Sequence, residues 1–486
     1  MSAREFFLRG SFPTTDPQAS AGSPLARRVL LHRAGGGPFG AVAGGIAAAV
    51  ASSALLRATR PCDAAVTPRE NTPAPLPKIA PWKWWVVVLM LLATVVNYID
   101  RQALGSVSTF VKADFGLNEE GYGNLEAIFG YSYAIFLVLA GFLADRCDLR
   151  WLYPAALLVW SLAGFATGFV ETLVQLQICR AILGAGEAFN WPVAVGLIRR
   201  IIPREAQGLA SGLFNSGMTL GAVVTPVLVL SIVGPKGEGW RGLFMAVGAA
   251  GLIWIVLWLL GTRGQRAVEM AAPAAAPETA PGITLREIFS GRLFWITCAV
   301  GVAVNMSWHF YRVWLPRHLV VDLHFTERQL QYLLIAFYLT ADLGSIAIGF
   351  LARRLARGRS VERARKITLL FAAGLCLLAT PILFGVDRMA LVPLYCCVGA
   401  GIMGVFAMFY ALVQDIAPAH TSKCLGLIGA LAWLINSRLH PWVGRFADTH
   451  APAMGKFAPM ILVAGVLPLI AAFIALKWPE KREPAA

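Results

Sequence analysis

Charge is scarce in this chain. Only 14% of its 486 residues are Asp, Glu, Lys or Arg, while 57% are hydrophobic and the mean hydropathy is +0.64. An ordinary soluble domain carries nearly twice that charge, so a soluble globular fold is excluded in favour of a polytopic membrane protein. Catalytic signatures are missing too. There is no glycine-rich loop to cradle a phosphate, no nucleophile elbow and no metal-ligand spacing, which excludes ATP-driven work, hydrolysis by an activated serine and a resident metal. No cofactor is expected, and energy has to come from gradients. The eight cysteines are scattered, apart from the adjacent Cys396 and Cys397, and form no disulfide framework. Acids are few: 27 against 42 Lys and Arg, for a net charge of +15. In a soluble protein that excess suggests nucleic acid. Here it reads as basic cytoplasmic loops, with no nucleic-acid partner.

What is present is apolar sequence in runs of about 20 residues, each long enough for a helical span. The runs fall near 84–111, 122–144, 151–170, 173–199, 206–233 and 240–261, then near 293–316, 328–352, 366–386, 390–416, 420–444 and 458–478. The expected fold is therefore an all-α membrane protein of twelve transmembrane helices in two six-helix halves, 81–262 and 292–480. A cytoplasmic linker at 263–291 and a tail at 481–486 complete the layout. Residues 1–80 are rich in Ala, Gly, Pro, Ser and Arg and read as a disordered extension. Within them Pro38–Leu56 is long enough to span, but its Ala/Gly composition gives little drive to insert and basic clusters flank it on both sides. Whether residues 1–80 are translated at all, or hold an extra span, stays open.

Loop charge orients the bundle. Arg146, Arg150, Arg199, Arg200, Arg204, Arg263 and Arg266 fall on one side, as does the cluster from Arg353 to Lys366. That side is expected to be cytoplasmic, with the bundle in a bacterial inner membrane and both of its ends in the cytoplasm. GFLADR (Gly141–Arg146) recurs as GFLARR (Gly349–Arg354) 208 residues later. Each copy ends the second helix of its half, as in a duplicated six-helix transporter unit.

Two pairs of charges lie inside apolar runs. Asp100 and Arg101 sit about sixteen residues, or roughly 24 Å, into the first span. Arg180 and Glu187 lie on one face of the fourth, about 10 Å apart in height. Intramembrane ions are costly and mark functional sites; the plain alternative is an interfacial pair reaching water. The acids suit proton carriage, and an arginine fork suits a carboxylate. Further polar groups lie in later spans. Asn305, Trp308 or His309, and Arg312 share a helix face. Arg312 either faces the cavity or sits at the outer interface. Arg438 either adds an anion contact or partners a carboxylate such as Asp342 or Asp415. The roles of Asp342 and His440 stay open.

NYIDR, GFLADR, RAILGAGEAFNWP and WRGLF together resemble the major facilitator superfamily, and within it the anion:cation symporters of hexuronates and galactonate. The resemblance covers about Trp82 to Trp478. It implies proton coupling at Asp100 and Glu187. It implies a substrate carboxylate at Arg101 or Arg180, and a sugar-acid pocket lined by Tyr98, Tyr133 and Tyr410. It implies gating at the Gly141–Asp145–Arg146 loop. Departures from the family pattern are Tyr410 for Trp, Met218 for Gln, Trp433 for Asn, Asp148 for Gly, and Arg353 for the second loop's acid. The loss of two polar groups argues against galactonate itself.

The resulting expectation is a monomeric symporter that brings a proton and a small sugar acid, a hexuronate or a relative, through the lipid bilayer into the cell. The alternatives are transport of another organic anion or a phosphate ester, export, and a non-transporting sensor. The sensor is disfavoured by the presence of both acids and the absence of a signalling domain.

Overall fold

The structure is a computed structural model. It describes residues 79–264, 270, 289–382, 388–416, 421–450 and 455–477. The expectations for residues 1–78, for most of the linker and for the tail lie outside them. The described residues form helices and no strand. The first half holds α1 (Pro81–Ser106), α2 (Ser108–Phe115), α3 (Glu119–Arg146), α4 (Leu149–Thr167), α5 (Leu173–Glu187), α6 (Asn190–Ile201), α7 (Arg204–Ile232) and α8 (Trp240–Gly261). The second holds α9 (Arg292–Val321), α10 (Glu327–Leu355), α11 (Val361–Cys376), α12 (Ala379–Ile382), α13 (Arg388–Ile416), α14 (Thr421–Thr449) and α15 (Ala458–Ala475).

Among the described residues, eleven helical stretches are long and apolar enough to cross a membrane, α5 with α6 and α11 with the start of α12 each counting as one. The remaining span expected from the sequence is α14, which has the length, 29 residues, but carries Arg438, His440, Arg445 and Asp448. Large apolar side chains such as Ile135, Phe142, Leu343 and Phe350 are more than half exposed, which is what a lipid-facing surface requires and water would penalise.

Three expected spans are broken, the one near 366–386 at Leu377 and Leu378 between α11 and α12. The first stops at Val107, where ψ turns to 17°, and a short second helix follows, so the run to Val111 is not one helix. The fourth is interrupted at Ala188 and Phe189. Pro192 has no N–H for the carbonyl of Ala188, so the i→i−4 ladder loses a rung just past Glu187. Asn190 steadies the break: its side chain accepts from the Tyr153 hydroxyl at 2.6 Å and donates to Thr94 Oγ1 at 3.1 Å.

The halves meet along two seams, α3 against α14 and α7 against α10. Gly123 and Gly130 of α3 and Gly444 of α14 make the first seam close. A Cβ on them would meet the His440 carbonyl, the Ser437 side chain and the Glu119 backbone respectively. Small residues at such crossings let helix backbones approach in a bilayer.

Candidate functional site: a buried cluster of three acids and three arginines

α1, α3, α5 and α9 bring six charged side chains together. Asp100, Arg101, Glu126, Arg180, Glu187 and Arg312 are all buried, none more than 6% exposed. Neighbours in sequence do not pair here. Asp100 and Arg101 are adjacent on a helix and so point about 100° apart. Arg101 turns to Glu187, donating from Nε at 3.0 Å and Nη2 at 2.7 Å to the same oxygen, Oε2, with a further bond from Nη2 to Asn97 at 3.3 Å. Asp100 turns towards Gly164, where an added Cβ would lie 3.0 Å from its Oδ1. Neither Asp100 nor Arg101 reaches solvent as an interfacial pair would.

Arg101 sits in an aromatic box. Its guanidinium carbon lies 4.8 Å from the ring centre of Tyr133, 5.2 Å from Tyr98, 5.4 Å from Trp433 and 5.6 Å from Phe129. Trp433 comes from the second half and also packs on Tyr133 at 4.6 Å and His309 at 4.2 Å. Tyr410 is 40% exposed, within electrostatic reach of Tyr98 and Tyr133.

Arg180 lies over Phe129 at 4.5 Å and 3.5 Å from Glu126 Oε2. Arg312 faces the cluster rather than the interface. It donates to Glu126 Oε2 at 2.7 Å, to the Arg101 carbonyl at 3.2 Å and from Nε to His309 Nδ1 at 3.4 Å. A ring nitrogen that accepts from an arginine carries no proton itself; the same holds for His440 Nδ1, which accepts from the Trp314 indole at 3.2 Å.

The cluster is under-bonded. Both oxygens of Asp100, Oε1 of Glu126, Oε1 of Glu187 and all three nitrogens of the Arg180 guanidinium are buried with no hydrogen-bond partner. Purely structural buried networks are normally satisfied. Seven open donors and acceptors in one place make this the candidate site for a proton or an anion.

Other expected residues stand elsewhere. Arg438 is exposed and lines a side cleft with Glu120, Asn124, Gln177 and Arg445. Asp342 has no ion-pair partner among the described residues, and the Asp415 side chain lies outside them. Gly141, Asp145 and Arg146 are exposed at the far end of α3. Arg200 faces Asp145 and Asp148 and donates to the carbonyls of Ala144 at 2.9 Å and Cys147 at 3.5 Å. Among the described residues no group of His, Cys, Asp or Glu is placed to hold a metal.

Glu126 and Glu119 were not picked out from the sequence. Their signal was an acid at each end of two turns in EEGYGNLE, the second followed at once by apolar residues. Glu119 accepts the Arg317 fork at 2.5 and 3.1 Å and pairs with Lys112. Glu120 pairs with Arg445, and Asp448 accepts from the N–H groups of Glu119 and Glu120 at 3.0 and 2.9 Å. With Gln331 donating to the Ser106 carbonyl at 3.0 Å and Tyr338 bonding Gln102 at 3.0 Å, these contacts close the halves together above the cluster, at the end of the bundle that carries Glu119.

The sequence model of the Major Facilitator Superfamily matches residues 90–437, well over half the chain. The chain belongs to this superfamily. That makes it a multi-pass membrane transporter and not an enzyme. It is 26% identical over 408 residues to the hexuronate transporter of Bacillus subtilis (strain 168), covering 81% of this chain and 94% of that one. It is 26% identical over 376 residues to the D-galactonate transporter of Escherichia coli O6:H1, covering 72% and 84%. Among solved structures it resembles a bacterial homolog of the human lysosomal transporter Spinster in an inward-facing, occupied conformation. The TM-score there is 0.65 at 18% identity, over 82% of this chain and 97% of that one; at that identity the likeness concerns the fold.

Proposed function

We propose that this superfamily member is a proton-coupled importer of a small organic anion, a hexuronate or related sugar acid. The observation that carries the reading is the charge balance of the under-bonded cluster. Three acids face three arginines, so the cluster is neutral when all six are ionised. Docking one carboxylate adds a negative charge at membrane depth, which is costly. One proton taken by an acid removes that cost. Anion and proton therefore favour each other's entry, and this is the linkage a symporter needs.

In this reading the basic loops lie in the cytoplasm and the Glu119 end faces outside. When the outer contacts part, protons reach Asp100 and Glu187. The substrate carboxylate docks on the open nitrogens of Arg180 or on Arg101, and Tyr98, Tyr133 and Tyr410 meet the hydroxyls. The halves rock, the Arg146 end opens, and substrate and proton leave. One proton per monoanion moves no net charge; a second would add about 2.3 kcal/mol per 100 mV. The hexuronate and galactonate names of the relatives support a sugar acid.

The test is uptake of labelled galacturonate and glucuronate into proteoliposomes, with and without an inward proton gradient. Gradient-stimulated uptake of either is expected. No uptake of either by monodisperse protein overturns the sugar-acid reading.

A further inference from the structure

We propose that Glu126 is a third proton-handling carboxylate of this transporter, and that its bond to Arg312 is the buried latch that keeps the halves together at the Glu119 end. The inference rests on the proton-coupled reading above and adds a residue to it.

The geometry has three parts. Glu126 belongs to the first half and Arg312 to the second, so their 2.7 Å bond crosses between the bodies that must separate. The same guanidinium holds the Arg101 carbonyl, one peptide from Asp100, and the ring of His309. Arg312 therefore staples the second half onto the substrate-binding stretch of α1. Glu126 also lies 3.5 Å from Arg180, whose three nitrogens are otherwise open, and its own Oε1 has no partner.

A permanent structural bridge would not be built this way. Two well-packed apolar side chains would hold the seam as well without the desolvation cost of two ions. An ion pair earns its place where it has to break. Glu126 is faced by Arg312 from α9, Arg180 from α5 and His440 from α14, with the Tyr122 hydroxyl on its own helix. Both imidazoles near it, His309 and His440, accept hydrogen bonds through Nδ1 and so are neutral. The negative charge of Glu126 is then what retains Arg312. A proton delivered from outside water to that carboxylate removes the charge, and Arg312 is free to leave with the second half. An anion arriving at Arg180 takes away the other positive neighbour of Glu126 and pushes in the same direction. Nearer the surface, Arg317–Glu119 and Arg445–Glu120 close the same end, but neither depends on a group inside the cluster.

The experiment uses the full chain in nanodiscs, its eight native cysteines replaced. One reporter cysteine stands at Gln331, which is buried in the closed seam against Ser106. Labelling by a membrane-impermeant thiol reagent, each rate divided by that of a fully exposed control cysteine at the same pH to cancel thiolate ionisation, reads how often the Glu119 end opens. In the parent, labelling is expected to quicken as pH falls. Glu126→Gln is expected to label about tenfold faster than the parent at neutral pH, and at a rate that no longer changes with pH. Arg312→Lys keeps the acid but loses the fork, so it should label faster throughout while keeping the pH dependence. It also stands in if Glu126→Gln does not fold. Parent labelling that ignores pH, or a Glu126→Gln variant with the parent's pH profile, overturns the proposal. So does an Arg312→Lys variant no faster than the parent. If instead the profile behaves as expected while the parent carries no sugar acid under any gradient, the latch stands and the symport reading fails.

Discussion

At the scale of single residues, the proposed function rests on the shape of the cluster's cations and on the protons of its acids. Arg101 spends two of its N–H groups on one oxygen of Glu187, a geometry that a lysine's point charge does not reproduce. Arg101→Lys is expected to lower uptake by about tenfold or more, a loss of at least one hydrogen bond to a charged group; initial rates in proteoliposomes check it. Glu187→Gln keeps size and hydrogen bonding but not the titratable proton. It should abolish gradient-driven accumulation while substrate exchange between equal pools continues, and unchanged accumulation would remove Glu187 from the mechanism. Four of the six cluster residues were legible in the sequence, because an ion within an apolar run is conspicuous. Arg312 stood out with its placement undecided. Glu126 was hidden by a boundary. A second span read as starting at 122 leaves it in the first turn, whereas the helix begins at Glu119 behind the Asn118 cap, which puts Glu126 roughly 10 Å in. What pairs with what was not legible at all, since Arg101–Glu187 and Arg312–Glu126 join positions 86 and 186 residues apart.

At the scale of helices, local chemistry explains two positions where the chain departs from expectation or needs a special residue. Asp148 stands where the resembled loop carries Gly. It caps α4, accepting from the Arg150 N–H at 2.9 Å. Asp148→Ala is expected to cost about 1 kcal/mol of stability, seen as a lower unfolding temperature in detergent. The second case is the connection into α15. Asp322 accepts from the N–H groups of Lys456 and Phe457, both at 2.9 Å, and meets His318 at 2.8 Å. Burial alone would raise its pKa, but the His318 and backbone N–H bonds outweigh that and hold it below the ordinary 3.8. The contribution to stability is therefore full above that value and is lost as pH falls through the depressed one. Asp322→Asn should narrow the stability difference between neutral and strongly acidic buffer, read by thermal unfolding across pH. Gly455, at φ 105°, turns the chain so that those two N–H groups face the carboxylate, a conformation that a residue with a Cβ adopts only under strain.

At the scale of the whole molecule, the proposed transport cycle has the two six-helix halves part and rejoin. Single cysteines at Glu120 and Arg445, joined in a cysteine-free background by a short bis-thiosulfonate that forms a reducible disulfide to each, should hold the Glu119 end shut. Uptake would then stop and return on reduction, whereas uptake that survives full crosslinking would mean that this end need not open. The helical layout was legible because hydropathy reports the backbone's need to satisfy itself in lipid, and the repeated GFLADR/GFLARR loop reports a duplicated unit. The closed end was not, because its bonds join residues some 200 to 330 positions apart. The box around Arg101 belongs to this scale as well. Tyr98, Phe129 and Tyr133 come from one half and Trp433 from the other, so the enclosure is complete only when the halves are together. A sulfate or chloride ion drawn into it would shed its hydration and find flat hydrocarbon faces in return. A sugar acid offers the arginine a carboxylate and offers the rings the C–H face of its own skeleton. Under the proposed function this aromatic wall is expected to favour anions that bring an apolar surface with them over those that are all charge.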